Sequence, residues 1–103
     1  MSSLAPKSKS DGVEFVDVQE MHLLHPKTFS APSRADLRRI RVGSVVKVAC
    51  NQERFWTEVV RVRGREVTAT VANILVCKQP FNNGDLIHFQ KRHVFDIMEE
   101  EQQ

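Results

Sequence analysis

Between Asn51 and Asn73 two runs rich in valine and threonine meet at Arg63-Gly64-Arg65, a pattern that predicts a β-hairpin. The second run is regular. Val67, Ala69 and Val71 fall on one face, and Glu66, Thr68 and Thr70 on the other. The first run breaks its own rule: Phe55, Thr57 and Val59 define a face, yet the next member of that series is Arg61, and Val62 takes the apolar role. A slip of one residue near Val60 and Arg61 predicts a β-bulge, which bends a strand as a small barrel requires. That phase sends Phe55, Val59 and Val62 inward and leaves Trp56, Glu58 and Arg61 outside.

The flanking sequence supplies the remaining strands. Val45 to Cys50 places Val46, Val48 and Cys50 on one face, and Asn51-Gln52-Glu53 turns into the hairpin. Ile74-Leu75-Val76-Cys77 is apolar on both faces and predicts burial from both sides. Pro80 to Asp85 is a turn cluster in which Gly84 takes positive φ. Leu86 to Gln90 follows, with Ile87 and Phe89 alternating with His88, and Lys91 to Ile97 closes the sheet through a tight turn and a last short strand. Such strands describe a mainly β fold, a small SH3-like or OB-like partly open barrel with one short helix. Val48, Phe55, Val59, Val67, Ala69, Val71, Ile87 and Phe89 are its expected core.

The helix belongs to Ser33–Ile40. Ser33 is a cap, Asp36 returns the bond three positions on, Leu37 and Ile40 form the buried edge, and Gly43 stops it. Upstream, Val13 to Phe29 holds eight apolar residues without sustained period. A short strand over Val13–Val18 and an irregular arm laid on the barrel are expected there, with a break at His25-Pro26. The domain plan is a disordered tail over 1–12, one barrel domain over 13–98 with its arm at 13–30, and an acidic tail over 99–103.

With 103 residues there is room for a single core. No apolar run reaches the eighteen or so residues of a membrane span, and the first residues lack a signal-peptide core, so a cytoplasmic protein without membrane contact is expected. Cys50 and Cys77 stand in strand-like surroundings and read as small hydrophobes. With His22, His25, His88 and His93 they make no C-x2-C or matched pair of the kind structural zinc needs, so no metal is expected. His93 reads as orienting the closing turn through Asp96. No glycine-rich phosphate loop or nucleophile elbow is present, and the reading is of a non-enzyme without cofactor.

Phe55-Trp56-Thr57-Glu58-Val59, the turn at Gly64, Asn73, Gly84-Asp85-Leu86-Ile87-His88-Phe89 and Lys91-Arg92-His93-Val94 together resemble small uncharacterised bacterial and phage domains. Those domains share an F-W-x-E-V strand, a G-D-x-I-x-F strand and a closing basic-His turn. The resemblance covers about Val45 to Ile97 and implies a small barrel without an established activity. The chain departs from the pattern at Ala72 to Cys77, where a polar turn is usual.

Between Arg34 and Arg92 twelve basic side chains face five acidic ones, a local net of +7 inside a chain of net +2. The excess reads either as an ordinary solvated surface or as an attraction for polyanions. Trp56 sits at the centre of that choice: beside Glu58, Arg54 and Arg61, an exposed indole suits a protein hot spot or a stacked base, whereas an indole covered by the arm makes a second small core. The expectation is a binding module for a protein partner, a phage or accessory factor using the outer face of Phe55–Val62 and the arm. The alternative is nucleic-acid binding, with Trp56 stacking and Arg38, Arg39, Arg41, Arg54, Arg61, Arg63 and Arg65 on phosphates.

Overall fold

The structure is a computed structural model, and it describes residues 13–73, 79 and 81–98. The expected run Ile74–Cys77 and both expected tails lie outside the described residues.

Five antiparallel strands form one sheet: β1 (Val45–Cys50), β2 (Glu53–Arg63), β3 (Glu66–Val71), β4 (Leu86–Gln90) and β5 (Asp96–Ile97). Their order is β4-β3-β2-β1-β5, so the chain runs as a meander and its last strand returns to pair with the first. A 3-10 turn, Lys91–His93, makes that return possible over a few residues. This is the expected small, partly open barrel, and β2, the longest strand, lies at its centre.

The phase slip in β2 is real. Val59 lies opposite Ala69 and Arg61 opposite Thr68, so Val60 is the extra residue of a bulge. Val59 then bonds beyond the end of β1, donating to Ser44 O and accepting from Gly43 N, each at 2.8 Å. Gly43, at φ 95°, accommodates that turn into β1. It does not end the helix as expected. The helix stops earlier, at Arg38, because the Arg39 amide donates to the carbonyls of Asp36 and Leu37 as a closing cap. The β1–β2 turn is a two-residue connection in which Asn51 and Gln52 both take positive φ, at 47° and 69°. Two such residues match the twist of the flanking strands, and their positive φ is uncommon outside glycine.

Alternation decides the core. All eight expected core residues are buried, and they share one cluster with Val46, Cys50, Phe81 and Val94. Phe81 stacks on Phe55 at 5.5 Å between ring centroids, although it belongs to what reads as a polar turn cluster. Thr57 is the one polar side chain among the fully buried described residues, and its hydroxyl donates to Val46 O at 3.0 Å.

The arm departs most from expectation. Val13–Val18 is not a strand, although the Val16 amide donates to Ala49 O at 2.9 Å. From Val18 to Leu24 the chain is helical (α1), a second helix beside α2 (Arg34–Arg38) where one was expected. Asp17 accounts for it: its side chain caps the Glu20 amide, and an acidic residue in the first turn favours the positive end of the helix dipole. Helix α1 ends at His25, ahead of Pro26, as the His-Pro pair requires. The arm's apolar residues divide. Phe15 and Val18 are buried, and Phe15 packs against Phe89, while Leu23 and Leu24 face solvent. In α2 the Ser33–Asp36 capping box forms as expected, with Leu37 half-buried and Ile40 buried.

Candidate functional site

Cross-strand pairing builds a second, outward face on the same sheet. Lys47 lies opposite Trp56, Val45 opposite Glu58, and Ala49 opposite Arg54. The Glu58 row continues through Thr70 to Leu86, and the Arg61 row through Thr68 to His88. Because side chains alternate across the pleat, burying Phe55, Thr57 and Val59 forces Arg54, Trp56 and Glu58 to this side.

Trp56 is half-buried. The Lys47 ammonium lies over its ring, 4.9 Å from the centroid. Its backbone is pinned from the β3 side, where the Asn73 side-chain oxygen accepts from Trp56 N and the Ala72 amide donates to Trp56 O. The choice between an open indole and one covered by the arm thus resolves into a third arrangement. The arm sends Phe15 into the core and Phe29 onto Phe95, 5.1 Å between centroids, while Lys47 roofs the indole. Arg54 is engaged next door, its guanidinium 4.6 Å from the Phe95 ring centroid. A cleft of about 210 Å³ lies beside these groups, lined by Thr28, Phe29, Ser30, Lys47, Arg54, Phe95 and Asp96.

The other arginines are spread more widely. Arg61 and Arg63 are exposed along and beyond the bulge, opposite Thr68 and Glu66. Arg65, in the β2–β3 turn, looks onto a cleft beside α1 and α2. Arg38 is exposed at the end of α2, and Arg39 lines a third cleft between the segment before α2 and β5. Glu58 is exposed. Of the eight candidate site residues, Arg54, Trp56, Glu58, Arg61 and Arg63 follow one another along the outer side of β2, and Arg38, Arg39 and Arg65 lie off it.

Three residues that sequence reasoning passed over complete the picture. Lys47 is placed by strand register alone. Phe95 is brought to Arg54 by the return of β5. Gln79 clasps the β1–β2 turn, accepting from Asn51 at 2.9 Å and donating to Glu53 at 3.4 Å. The Cys50 thiol lies 3.7 Å from the same Gln79 oxygen. Burial, with Glu53 nearby, pushes that thiol up to about 11, so it is protonated at neutral pH.

The histidines serve separate parts of the fold. His22 Nδ1 donates to Phe29 O, and His88 Nδ1 meets the Thr68 hydroxyl at 2.8 Å. His93 does orient the closing turn, but through Gln90 rather than Asp96: its Nδ1 accepts from the Gln90 amide at 3.0 Å. That acceptor role requires a ring nitrogen without a proton. Burial, then Arg92, holds the His93 pKa below the ordinary 6.5, against smaller opposing effects of Asp17 and Glu66. Among the described residues no group of three or more His, Cys, Asp or Glu side chains is placed to hold a metal ion, and no helix is long and apolar enough to cross a membrane.

Comparison of the chain with protein-family models, with curated proteins and with solved structures gives no match.

Proposed function

We propose that this chain is a small non-catalytic binding module that engages a protein partner through the outer face of β1 and β2. The observation that carries the reading is the state of Trp56: an indole at the centre of the sheet, half-buried under Lys47, flanked by Glu58 and fixed through its backbone by Asn73 and Ala72. A rigid aromatic side chain already partly desolvated loses little entropy on binding, and such residues dominate protein interfaces. Val60 and Leu86 expose further apolar area on the same sheet. The likeness to small bacterial and phage domains, and with it a role as an accessory factor inside a cell, belongs to this proposal.

Nucleic-acid binding is the weaker reading. It needs cations along a track beside an open stacking surface, whereas Arg54 already covers Phe95, Lys47 lies over the indole, and Arg39 and Arg65 line two other clefts, which leaves Arg61 and Arg63 on the outer side of β2. Fluorescence anisotropy on labelled single- and double-stranded oligonucleotides separates the two. The protein-partner reading expects no binding to either near physiological salt. Binding that falls steeply with salt, by a log–log slope of about −0.7 per phosphate contact on single strands, and that weakens by about 1–3 kcal/mol in Trp56→Ala, would replace it with the nucleic-acid reading.

A further inference from the structure

Helices α1 and α2, the β2–β3 turn and the 3-10 segment border a cleft of about 530 Å³. Three guanidinium groups line it from three separate parts of the chain: Arg34 at the start of α2, Arg65 in the turn, and Arg92 in the 3-10 segment. Leu23 and Leu37 contribute apolar surface, and the remaining lining side chains, Gln19, His22 and Gln90, are polar and carry no negative charge at neutral pH. Two acids border the cleft. Glu66 accepts from the lining Gln90 at 3.1 Å, and Asp17 pairs with Arg92 at 3.6 Å, with 56% of the Arg92 side chain still exposed. The walls are tied in place: Gln19 donates to Pro32 O at 3.0 Å, linking α1 to the segment before α2, and the Lys91 amide donates to Arg65 O at 2.9 Å, linking the turn to the 3-10 segment.

We infer that this cleft is a docking site for an acidic, leucine-bearing segment of a partner protein. The inference rests on the reading of the chain as a protein-interaction module and adds a second surface to it. Arg34 and Arg65, with no carboxylate among the described lining residues, call for an anion, Arg92 keeps exposed surface beside its pairing with Asp17, and the planar forks of all three match carboxylates in pairs. Carboxylates alone would leave the apolar part of the site in water. Leu23, which lines the cleft, is 80% exposed, and Leu24 next to it in sequence is 65% exposed at the end of α1, so an occupant with aliphatic side chains between its acids covers apolar surface there. The described lining residues include no phenylalanine or tryptophan on which a base would stack, which favours a peptide over single-stranded nucleic acid.

The test is fluorescence anisotropy with the full chain at about 100 mM salt. The probe is a fluorescein-labelled peptide of about 14 residues that alternates pairs of glutamate and leucine, long enough to span such a cleft as a helix. Polyglutamate and single-stranded DNA of equal length, and inorganic phosphate as competitor, serve as controls. The glutamate–leucine peptide is expected to bind more tightly than polyglutamate or DNA. The double variant Arg34→Glu/Arg65→Glu should weaken it by at least about tenfold. Leu23→Ser should weaken it by about threefold, with the melting temperature of each variant near wild type. Glutamate at position 34 sits in a helical first turn, where it is favoured, so the double variant retains its fold. Trp56→Ala should leave peptide binding unchanged. The inference is overturned if the peptide does not bind, if DNA or polyglutamate binds as well, if phosphate competes it away, or if neither the charge reversal nor Leu23→Ser has an effect. A loss seen only in Trp56→Ala would move the acidic segment onto the outer sheet face, overturning the cleft while leaving the protein-interaction reading intact.

Discussion

On β2 the side chains of Phe55, Thr57 and Val59 are separated from those of Arg54, Trp56 and Glu58 by one peptide unit each, and the two sets have opposite surroundings. The inner three are all but inaccessible, and Phe55 and Val59 touch the rest of a single cluster. The outer three are half-buried or exposed, with Lys47 lying over the Trp56 ring and Arg54 over the Phe95 ring. Substitutions on the inner face therefore propagate through a close-packed core, whereas those on the outer face remain local. One strand thus separates stability from recognition, and the separation can be attacked from either side.

The largest effect is expected where the inner face is given a charge. Val71→Asp places a carboxylate within a core that offers it no cation, at a cost of several kcal/mol, comparable with total stability. Circular dichroism should show an unfolded or aggregated chain; a cooperatively melting protein would mean that the two faces have been interchanged. The arm offers the same contrast on a smaller scale. Phe15→Ala, which removes a ring packed on Phe89, should cost about 3 kcal/mol, while Leu23→Ala, at a solvent-facing position, should change stability by less than about 0.5 kcal/mol in urea titration. Equal losses would show that the whole arm is part of the core.

Much of this division was legible in the residues. Arg61 interrupting the series Phe55, Thr57, Val59 was enough to locate the bulge, because only an extra residue restores an inward valine at 62. Ser33 and Asp36 announced their capping box, and Gly84 its turn. Helix α1 was hidden because Val13 to Phe29 has no helical period: only Val18 of that helix is buried, so there is no apolar stripe to see. The one local sign, Asp17 three residues before Glu20, is a cap pattern that competes with the β-like look of Val13, Phe15, Val16 and Val18. Phe81 was obscured by its polar turn neighbours. The roof of Lys47 over Trp56, the stack of Arg54 on Phe95 and the meeting of Arg34, Arg65 and Arg92 depend on register and chain return, which no local pattern encodes.

Thr57 gives a finer test of the inner face. Thr57→Val keeps the shape but removes the bond to Val46 O, and should lower stability by about 0.5–1.5 kcal/mol, leaving the outer face intact. Smaller still is a pH effect from the closing turn. Because the folded pKa of His93 lies below 6.5, the unfolded chain takes up its proton first as pH falls. This contribution is therefore fully present above pH 6.5 and is lost progressively as pH drops from there toward the folded value. His93→Asn, whose side-chain oxygen can still accept from the Gln90 amide, should flatten that part of the stability curve, as read from urea midpoints at successive pH values. An unchanged slope would assign it to other groups.

The central claim, that the outer face serves a protein partner while the inner face serves the fold, is tested most directly on one variant by two readouts. Wild type and Trp56→Ala are each immobilised and exposed to extract of the native host at about 150 mM salt after nuclease treatment, with bound proteins quantified by mass spectrometry and the melting of both chains recorded. The account predicts a cooperative melt in both, with one or more proteins retained by wild type and depleted at least about tenfold by Trp56→Ala, a hot-spot loss. Equal retention by the two chains, or capture that disappears from wild type once nucleic acid is digested, would contradict it.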